Sequence, residues 1–295
     1  MNSIYEQKII DTHIHLWDLK KNLYEWIDKS SNANLKKDYL LNNFISDVGK
    51  LSVKKAVHIQ AEINRNLSLE ETRWLQSMAD KNSMGFPNAI IGFVDLKKNN
   101  CEEELDKHKD YPNFRGIRQM LKYDYRLQNS DKNLLEDDNW INNLKILESK
   151  NLIFEILINY FQFKEIINIL KKYPNLQFIL NHTLWPIDVS ENNFSIWRDA
   201  VTKLSEFENV TIKISGFGER DPFWDKNNIM PFFNFVLEKF TINRCMLGSN
   251  FPVDRAFSEK KYFDYWDAYH TICAEFSKNE KDFLFYKNAE NFYKI

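Results

Sequence analysis

The stretch Lys8-Ile9-Ile10-Asp11-Thr12-His13-Ile14-His15-Leu16 is a short, largely alternating apolar run of the length of one β-strand. It is the first of eight such runs, each followed by a longer segment of helical periodicity. This alternation predicts βα units in a parallel sheet, and eight units match a (β/α)8 TIM-type barrel. The predicted strands cover residues 8–16, 54–62, 89–96, 114–121, 152–158, 177–183, 210–217 and 245–250.

The predicted helices fill the intervals between these strands. No low-complexity run or linker divides the chain, so we expect residues 1–295 to form a single domain. A doubly wound open sheet would show the same alternation, but no GxGxxG or GxxxxGK[ST] motif follows the first strand, which argues against dinucleotide and P-loop functions. The helices are predicted at residues 69–83, 101–109, 136–149, 161–173, 194–207, 228–240, 259–277 and 279–294.

The composition predicts a globular protein. Hydrophobic residues make up 43% of the 295 positions, and the net charge of -2 comes from 40 basic and 42 acidic residues that are interspersed. Such a surface does not favour nucleic acid or an anionic membrane as a partner. The three cysteines form no CxxC pair, and the charged N-terminus has no apolar signal-peptide core. We therefore expect a cytoplasmic protein that binds a small molecule, either as a monomer or as a homo-oligomer.

Polar residues recur on one face of several predicted strands. In strand 1, Asp11, His13 and His15 alternate with apolar residues, and the apolar face is expected to pack on the helices. The polar face is therefore predicted to point into the barrel. Because a buried polar group without a partner costs roughly 1–3 kcal/mol, this accumulation indicates a site. The same analysis predicts inward positions for His58, Gln60 and Glu62 of strand 2, Arg118 of strand 4, Glu155 of strand 5, and Lys213 and Ser215 of strand 7.

Three histidines are predicted at one mouth of the barrel. His13 and His15, two residues apart, can converge on one metal ion or one substrate oxygen, and His182 lies where strand 6 should end. Catalytic groups of such barrels come from the carboxyl ends of different strands. The three imidazoles could hold one zinc ion with an open position for water. The alternative is that they are structural histidines.

Several segments along the whole chain resemble the amidohydrolase-related group, which includes fuconolactonase-like and pyrone-dicarboxylate-lactonase-like enzymes. The resemblance implies a distorted barrel that hydrolyses a lactone or related cyclic ester, with histidines, an arginine and a strand 8 acid at the site. It also implies one divalent metal ion, most simply zinc, although some lactonases of this group work without metal. The matching segments are residues 10–18 (IDTHIHLWD), Gln60-Ala61, 71–75 (ETRWL), 114–118 (FRGIR), Asn181-His182, 213–218 (KISGFG) and 248–254 (GSNFPVD).

One position departs from the family pattern. Where relatives carry Asp in a Gly-Ser-Asp stretch, this chain has Asn250, and an amide cannot accept a proton as a general base does. A histidine or Asp254 could serve instead, or Asn250 could orient the water. Arg118 is predicted either to bind a substrate carboxylate or carbonyl, or to pair with Glu155 or Glu62.

The predicted mechanism is attack of an activated water on a lactone carbonyl that is polarised by the histidines or by a metal they hold. The site residues of this hypothesis are His13, His15, His182, Asn250 and Asp254, with Gln60, Arg118, Lys213, Ser215 and Trp185 as substrate contacts. Two alternatives stay open. One is a lyase, either a decarboxylase or an aldolase that forms a Schiff base on Lys213. The other is a catalytically silent binding protein, which Asn250 would favour.

Overall fold

The computed structural model describes residues 3–20, 24–121, 134–186 and 191–295. Eight strands form one sheet in the order β1 to β8, and every neighbouring pair is parallel. The predicted distorted (β/α)8 barrel is confirmed. The strands are β1 Ile9–Ile14, β2 Val53–Ile59, β3 Ala89–Gly92, β4 Phe114–Met120, β5 Ile153–Leu157, β6 Phe178–Leu180, β7 Val210–Ile214 and β8 Cys245–Leu247.

The helices agree with most of the predicted intervals. Four short helices were not predicted: Glu25–Lys29 and Leu41–Val48 between β1 and β2, Phe217–Arg220 after β7 and Val253–Ser258 after β8. The predicted interval 259–277 contains one helix, Tyr262–Ile272, and the interval 279–294 contains two helices linked by a π-helical turn at Phe283–Lys287. The helices are α1 Glu25–Lys29, α2 Leu41–Val48, α3 Ser68–Lys81, α4 Cys101–Lys109, α5 Asp138–Ser149, α6 Phe163–Lys172, α7 Glu191–Ser205, α8 Phe217–Arg220, α9 Lys226–Phe240, α10 Val253–Ser258, α11 Tyr262–Ile272, α12 Lys278–Asp282 and α13 Asn288–Tyr293.

The barrel closes between β1 and the segment that follows β8. Ile14 and Phe251 form a single parallel bridge. On either side of it, the Asn250 N–H donates to the His13 carbonyl and the His15 N–H donates to the Phe251 carbonyl, both at 2.8 Å. This closure places the residues after β8 directly beside the two histidines of β1.

The lower part of the barrel interior is apolar. One cluster contains residues from six strands and α13, which only side chains inside the barrel can do. Its members are Ile10, Val57, Ile59, Ala89, Ile91, Ile153, Ile179, Met246, Ala289 and Tyr293. The helix α13 therefore closes the amino end of the barrel. No helix in the described part of the chain is long and apolar enough to span a membrane.

The predicted strand faces are wrong in two places. Ile10 belongs to the interior cluster, and the Asp11 carboxylate accepts a hydrogen bond from the Tyr262 hydroxyl on the surrounding helix α11 at 2.8 Å. The reason is a register shift between Asp11 and Ile14, which reverses the alternation before His13. In β2 the interior residues are Val57 and Ile59, so that His58 alternates to the outer side.

Candidate active site

A cavity of about 650 Å³ opens at the carboxyl ends of the strands. This is the end where (β/α)8 barrels carry their active sites. Four residues predicted from the sequence line it: His15, His182, Arg118 and Asn250. The other described residues of its wall are Glu25, Trp26, Lys29, Ala61, Glu62, Ile63, Asn64, Arg65, Met120, Leu157, Glu219 and Val253.

Left-handed backbone is concentrated at this cavity. Glu62, His182 and Asn250 all have φ between 53° and 55°, and the left-handed conformation continues from His182 through Trp185. Non-glycine residues in this region cost roughly 1–3 kcal/mol each and persist where the surroundings impose them. The fold therefore holds three wall residues in unfavourable conformations, which is typical of functional sites.

The three predicted histidines lie together. The ring centroid of His13 is 4.4 Å from that of His182 and 5.0 Å from that of His15. His13 is completely buried, and neither of its ring nitrogens has a hydrogen-bond partner. Burial, and then the charge of His182, lowers the pKa of His13 well below its usual value, and burial followed by the charge of Arg118 does the same for the pKa of His15. Both rings are therefore neutral at pH 7.

His15 is held from both sides of its ring. Its Nδ1 lies 2.8 Å from the carbonyl oxygen of Ile59, and its Nε2 lies 3.2 Å from Oδ1 of Asn250. Both oxygens accept hydrogen bonds, so a neutral ring donates to one of them at a time.

Asp254 completes this chain of contacts. One of its oxygens lies 2.7 Å from the Asn250 amide, and its carboxylate accepts backbone N–H groups of Gly218 and Glu219 at 2.9 and 3.3 Å. Burial raises the pKa of Asp254 to about 8. The Asn250 amide nitrogen donates to Asp254 Oδ1, which leaves the Asn250 oxygen for His15. Asp254 is completely buried and does not belong to the described cavity wall, so it contacts the wall through Asn250 and through the Glu219 backbone.

Arg118 is the deepest cation of the wall. It is 4% exposed, its terminal nitrogen donates to the Gln60 carbonyl at 2.6 Å, and its Nε has no partner. Burial lowers the pKa of Arg118, and the charges of Glu62 and Glu155 oppose that shift most strongly. Arg118 thus lines the cavity close to the charges of Glu62 and Glu155, and its role as a substrate contact or an ion-pair partner stays a prediction.

Four predicted substrate contacts stand behind the cavity wall as the structure describes it. The Ser215 hydroxyl is 2.9 Å from His182 Nδ1, the Trp185 ring packs edge-on against His182, and the Gln60 side chain is hydrogen-bonded to Glu62. Ser215, Trp185 and Gln60 therefore hold residues of the cavity wall in place and do not line the described cavity themselves. The fourth, Lys213, donates to the Thr12 carbonyl at 2.6 Å and to both Glu155 oxygens at 2.9 and 2.7 Å, and it is completely buried.

These contacts argue against a Schiff base on Lys213. All three ammonium protons have acceptors, and burial lowers the pKa of Lys213 only to about 8. Glu155 in turn accepts the Tyr293 hydroxyl of α13 at 2.6 Å and the Asn181 amide at 2.8 Å. Lys213 is thus one member of a buried network that ties β1, β5, β7 and α13 together.

The three-histidine zinc site stays a prediction. Within the described ranges, no group of three or more His, Cys, Asp or Glu side chains is arranged to bind a metal ion. His15 Nε2 faces Asn250 and His182 Nδ1 faces Ser215, whereas the two ring nitrogens of the buried His13 have no hydrogen-bond partner. The amide at position 250 also replaces the anionic oxygen that would favour a dication.

Sequence reasoning missed several wall residues, above all Glu219 and Trp26, and it predicted Glu62 to face inward without assigning it to the site. Glu62 and Glu219 follow β2 and β7 by three and five positions, in the connections at the carboxyl end of the barrel. The rule that these loops build the site could have selected them. Trp26 lies on α1, which gave no strong periodic signal in the sequence.

Comparison with known proteins agrees with this architecture. The amidohydrolase family matches residues 10–295. The uncharacterised protein y4mH of Sinorhizobium fredii is 34% identical to the chain over 297 residues, which cover 97% of this chain and 98% of that protein.

Two further relatives have more informative names. The L-fucono-1,5-lactonase of Burkholderia ambifaria is 25% identical over 295 residues, covering 97% of this chain and 95% of that enzyme. An amidohydrolase of Burkholderia multivorans, solved with bound zinc, superposes with a TM-score of 0.83 at 20% identity, covering 97% of this chain and 99% of that one. The second likeness shows the common fold.

Proposed function

Because this chain belongs to the amidohydrolase family, we propose that it is a hydrolase that opens a lactone or related cyclic ester. The observation that carries the proposal is the convergence of His15, His182, Arg118 and Asn250 on one cavity at the carboxyl end of the barrel. The resemblance to a sugar lactonase along 97% of the chain supports a ring ester as the substrate.

His182 is suited to polarise the ring carbonyl. If the Ser215 hydroxyl donates to Nδ1, the proton of a neutral His182 ring sits on Nε2 and can be donated to the carbonyl oxygen. Such a donor stabilises the negative charge that develops on this oxygen when water attacks. Arg118 provides a second, permanently charged donor in the same cavity.

Asn250 has a positioning role in this mechanism. Its amide nitrogen donates to Asp254 and its amide oxygen faces His15 Nε2, so Asn250 orients the His15 ring. His13, whose ring nitrogens have no hydrogen-bond partner, would hold a divalent ion together with His15 and His182 if one binds, and the ion would polarise the carbonyl or the water.

The proposal is tested by measuring ring opening of sugar lactones and carboxylated lactones with a pH indicator, using the wild type and the His182→Gln variant. We expect the wild type to open at least one class and the variant to lose about 100-fold or more in kcat, because one oxyanion donor contributes about that much. His270→Gln, on the outer helix α11, is the matched control and should retain the wild-type rate.

Equal rates for His182→Gln and the wild type would refute the assignment of His182. Tight binding of lactones or hydroxy acids by the wild type, without turnover of any of them, would identify a silent binding protein instead. Release of carbon dioxide from a carboxylated substrate would identify a lyase.

A further inference from the structure

The wall of the active-site cavity has an apolar side as well as a polar one. Resting on the proposed lactone hydrolysis, we propose that the apolar side binds an alkyl or aryl substituent of the lactone ring, mainly through Trp26, Met120 and Leu157. The substrate class is then a lactone that carries an apolar side chain. The described apolar residues of the wall are Trp26, Ala61, Ile63, Met120, Leu157 and Val253.

The two sides of the wall come from opposite parts of the barrel. His15, His182 and Asn250 follow β1, β6 and β8, and the segment after β8 is bonded directly to β1. The apolar wall residues other than Val253 belong to β4 and β5, to the segment after β2, or to α1. Because the eight strands follow one another in order around the barrel, β4 lies opposite β8 and β5 lies opposite β1.

Met120 and Leu157 form one layer at the mouth of the barrel. They are register partners at the ends of β4 and β5, and Arg118 and Glu155 are register partners two positions earlier. Side chains two positions apart point to the same face of a strand and are separated by about 6.5 Å along it. A lactone whose carbonyl lies at the level of Arg118 therefore has Met120 and Leu157 on the side of the mouth, where Met120 is 42% exposed.

Trp26 is held in place before any substrate binds. Its indole N–H donates to the Ala61 carbonyl at 2.7 Å, and its ring packs edge-on against the buried Trp17 with 6.0 Å between the ring centroids. The Tyr24 hydroxyl, just before α1, donates to Glu71 at 3.3 Å. Glu71 also accepts the Ala61 N–H at 3.3 Å. The half-buried indole is thus fixed to the segment after β2, so little side-chain entropy is lost when a substituent packs on it.

The size and charge of the cavity fit an apolar substituent. Its volume of about 650 Å³ is typical of pockets that enclose drug-sized ligands, so a lactone ring alone fills only part of it. The described wall contains three acidic and three basic side chains, and its formal charges therefore cancel and favour neither an anionic nor a cationic substituent. These side chains are Glu25, Glu62 and Glu219 and Lys29, Arg65 and Arg118.

The test uses a series of six-membered lactones that carry hydrogen, methyl, propyl or pentyl on the carbon bonded to the ring oxygen. Each kcat/KM is divided by the rate of alkaline hydrolysis of the same lactone. We expect the wild-type value to rise by about fourfold for each added methylene group, because burial of a methylene in an apolar site favours binding by about that factor. A flat or falling series would overturn the proposal, as would faster opening of a six-membered sugar lactone than of the propyl lactone.

Variants of the wall assign the effect to the apolar side. Met120→Gln keeps the length of the side chain but introduces an amide, which loses hydrogen bonds to water when a substituent covers it. The ratio of kcat/KM on the pentyl lactone to that on the unsubstituted lactone should therefore fall by about fivefold or more. Trp26→Gln should lower the same ratio. Met84→Gln is the matched control, because Met84 is 43% exposed but lies between α3 and β3, outside the described cavity wall.

The outcomes separate this proposal from the function on which it rests. A folded Met120→Gln variant that keeps the wild-type ratio, or a Met84→Gln variant that lowers the ratio equally, would overturn the apolar binding site while the proposed function stands. A wild type that opens none of the lactones, sugar lactones included, would overturn both. Circular dichroism checks that each variant is folded.

Discussion

Replacing Gly216 by alanine should disable the site with only a modest loss of stability. Gly216 has φ of +76°, where an L-residue is disfavoured by roughly 1–2 kcal/mol. Its new Cβ would lie 2.6 Å from Cγ and Nδ1 of His182, whereas ordinary contacts begin near 3.4 Å. The ring must therefore move by about 0.8 Å and leave its 2.9 Å contact with Ser215.

A displacement of that size is large for a catalytic group. Misplacement by about 1 Å lowers rates by about 100-fold, so kcat/KM on the best lactone should fall by about two orders of magnitude. The matched control is Gly49→Ala, which also has positive φ, at +57°, but whose Cβ would meet no atom closer than 3.9 Å. Urea unfolding should show losses for both variants, and only Gly216→Ala should lose activity. A Gly216→Ala variant within fivefold of the wild type would refute the claim that this contact positions His182.

Three further outcomes follow from the buried charges. Burial raises the pKa of Glu71 from 4.5 to about 8, so wild-type stability should fall relative to Glu71→Gln as pH rises from 4.5 to 8 and change little above 8. At about 1.4 kcal/mol per pH unit, the wild type should lose at most about 5 kcal/mol of unfolding free energy relative to the variant. A difference in unfolding free energy between the two proteins that stays the same at every pH would contradict this prediction. Lys213→Met should lose about 3–5 kcal/mol in urea unfolding, because Glu155 is left buried without its cation; a loss below about 1 kcal/mol would count against the buried network. Tyr293→Phe should lose about 1.5–3 kcal/mol, since its hydroxyl donates to the same carboxylate, and an unchanged unfolding midpoint would contradict that.

The fold could be predicted because the βα alternation is strong in each unit. The alternation of side chains along a strand predicted less well which residues face inward, as β1 shows. Register shifts on both sides of Ile10 and Asp11 bring Ile10 inside and turn Asp11 toward α11. His13 and His15 still reach the mouth of the barrel. A bulge depends on pairing with other strands, and a single strand's sequence does not reveal it.

The candidate site, like the fold, could be predicted from the sequence only in part. Four residues could be placed at the cavity because they lie near or just after the carboxyl ends of strands: His15, His182, Arg118 and Asn250. The burial of Asp254 could not, because it depends on how α8 packs against α10. The same packing brings Glu219 to the wall, although it is more than thirty positions away from Asn250 in the chain. Loop packing of this kind has no periodic signature.

In the proposed mechanism, ring opening occurs where His15, His182 and Arg118 meet. The most direct measurement is a crystal structure of the protein with the hydroxy acid released from its best lactone. We predict the new carboxylate in the cavity, with one oxygen within about 3.2 Å of His182 Nε2 or the Arg118 guanidinium, a normal hydrogen-bond distance. A product bound outside this cavity, or bound in it with its carboxylate facing the rim near Glu25 and Lys29, would contradict the account.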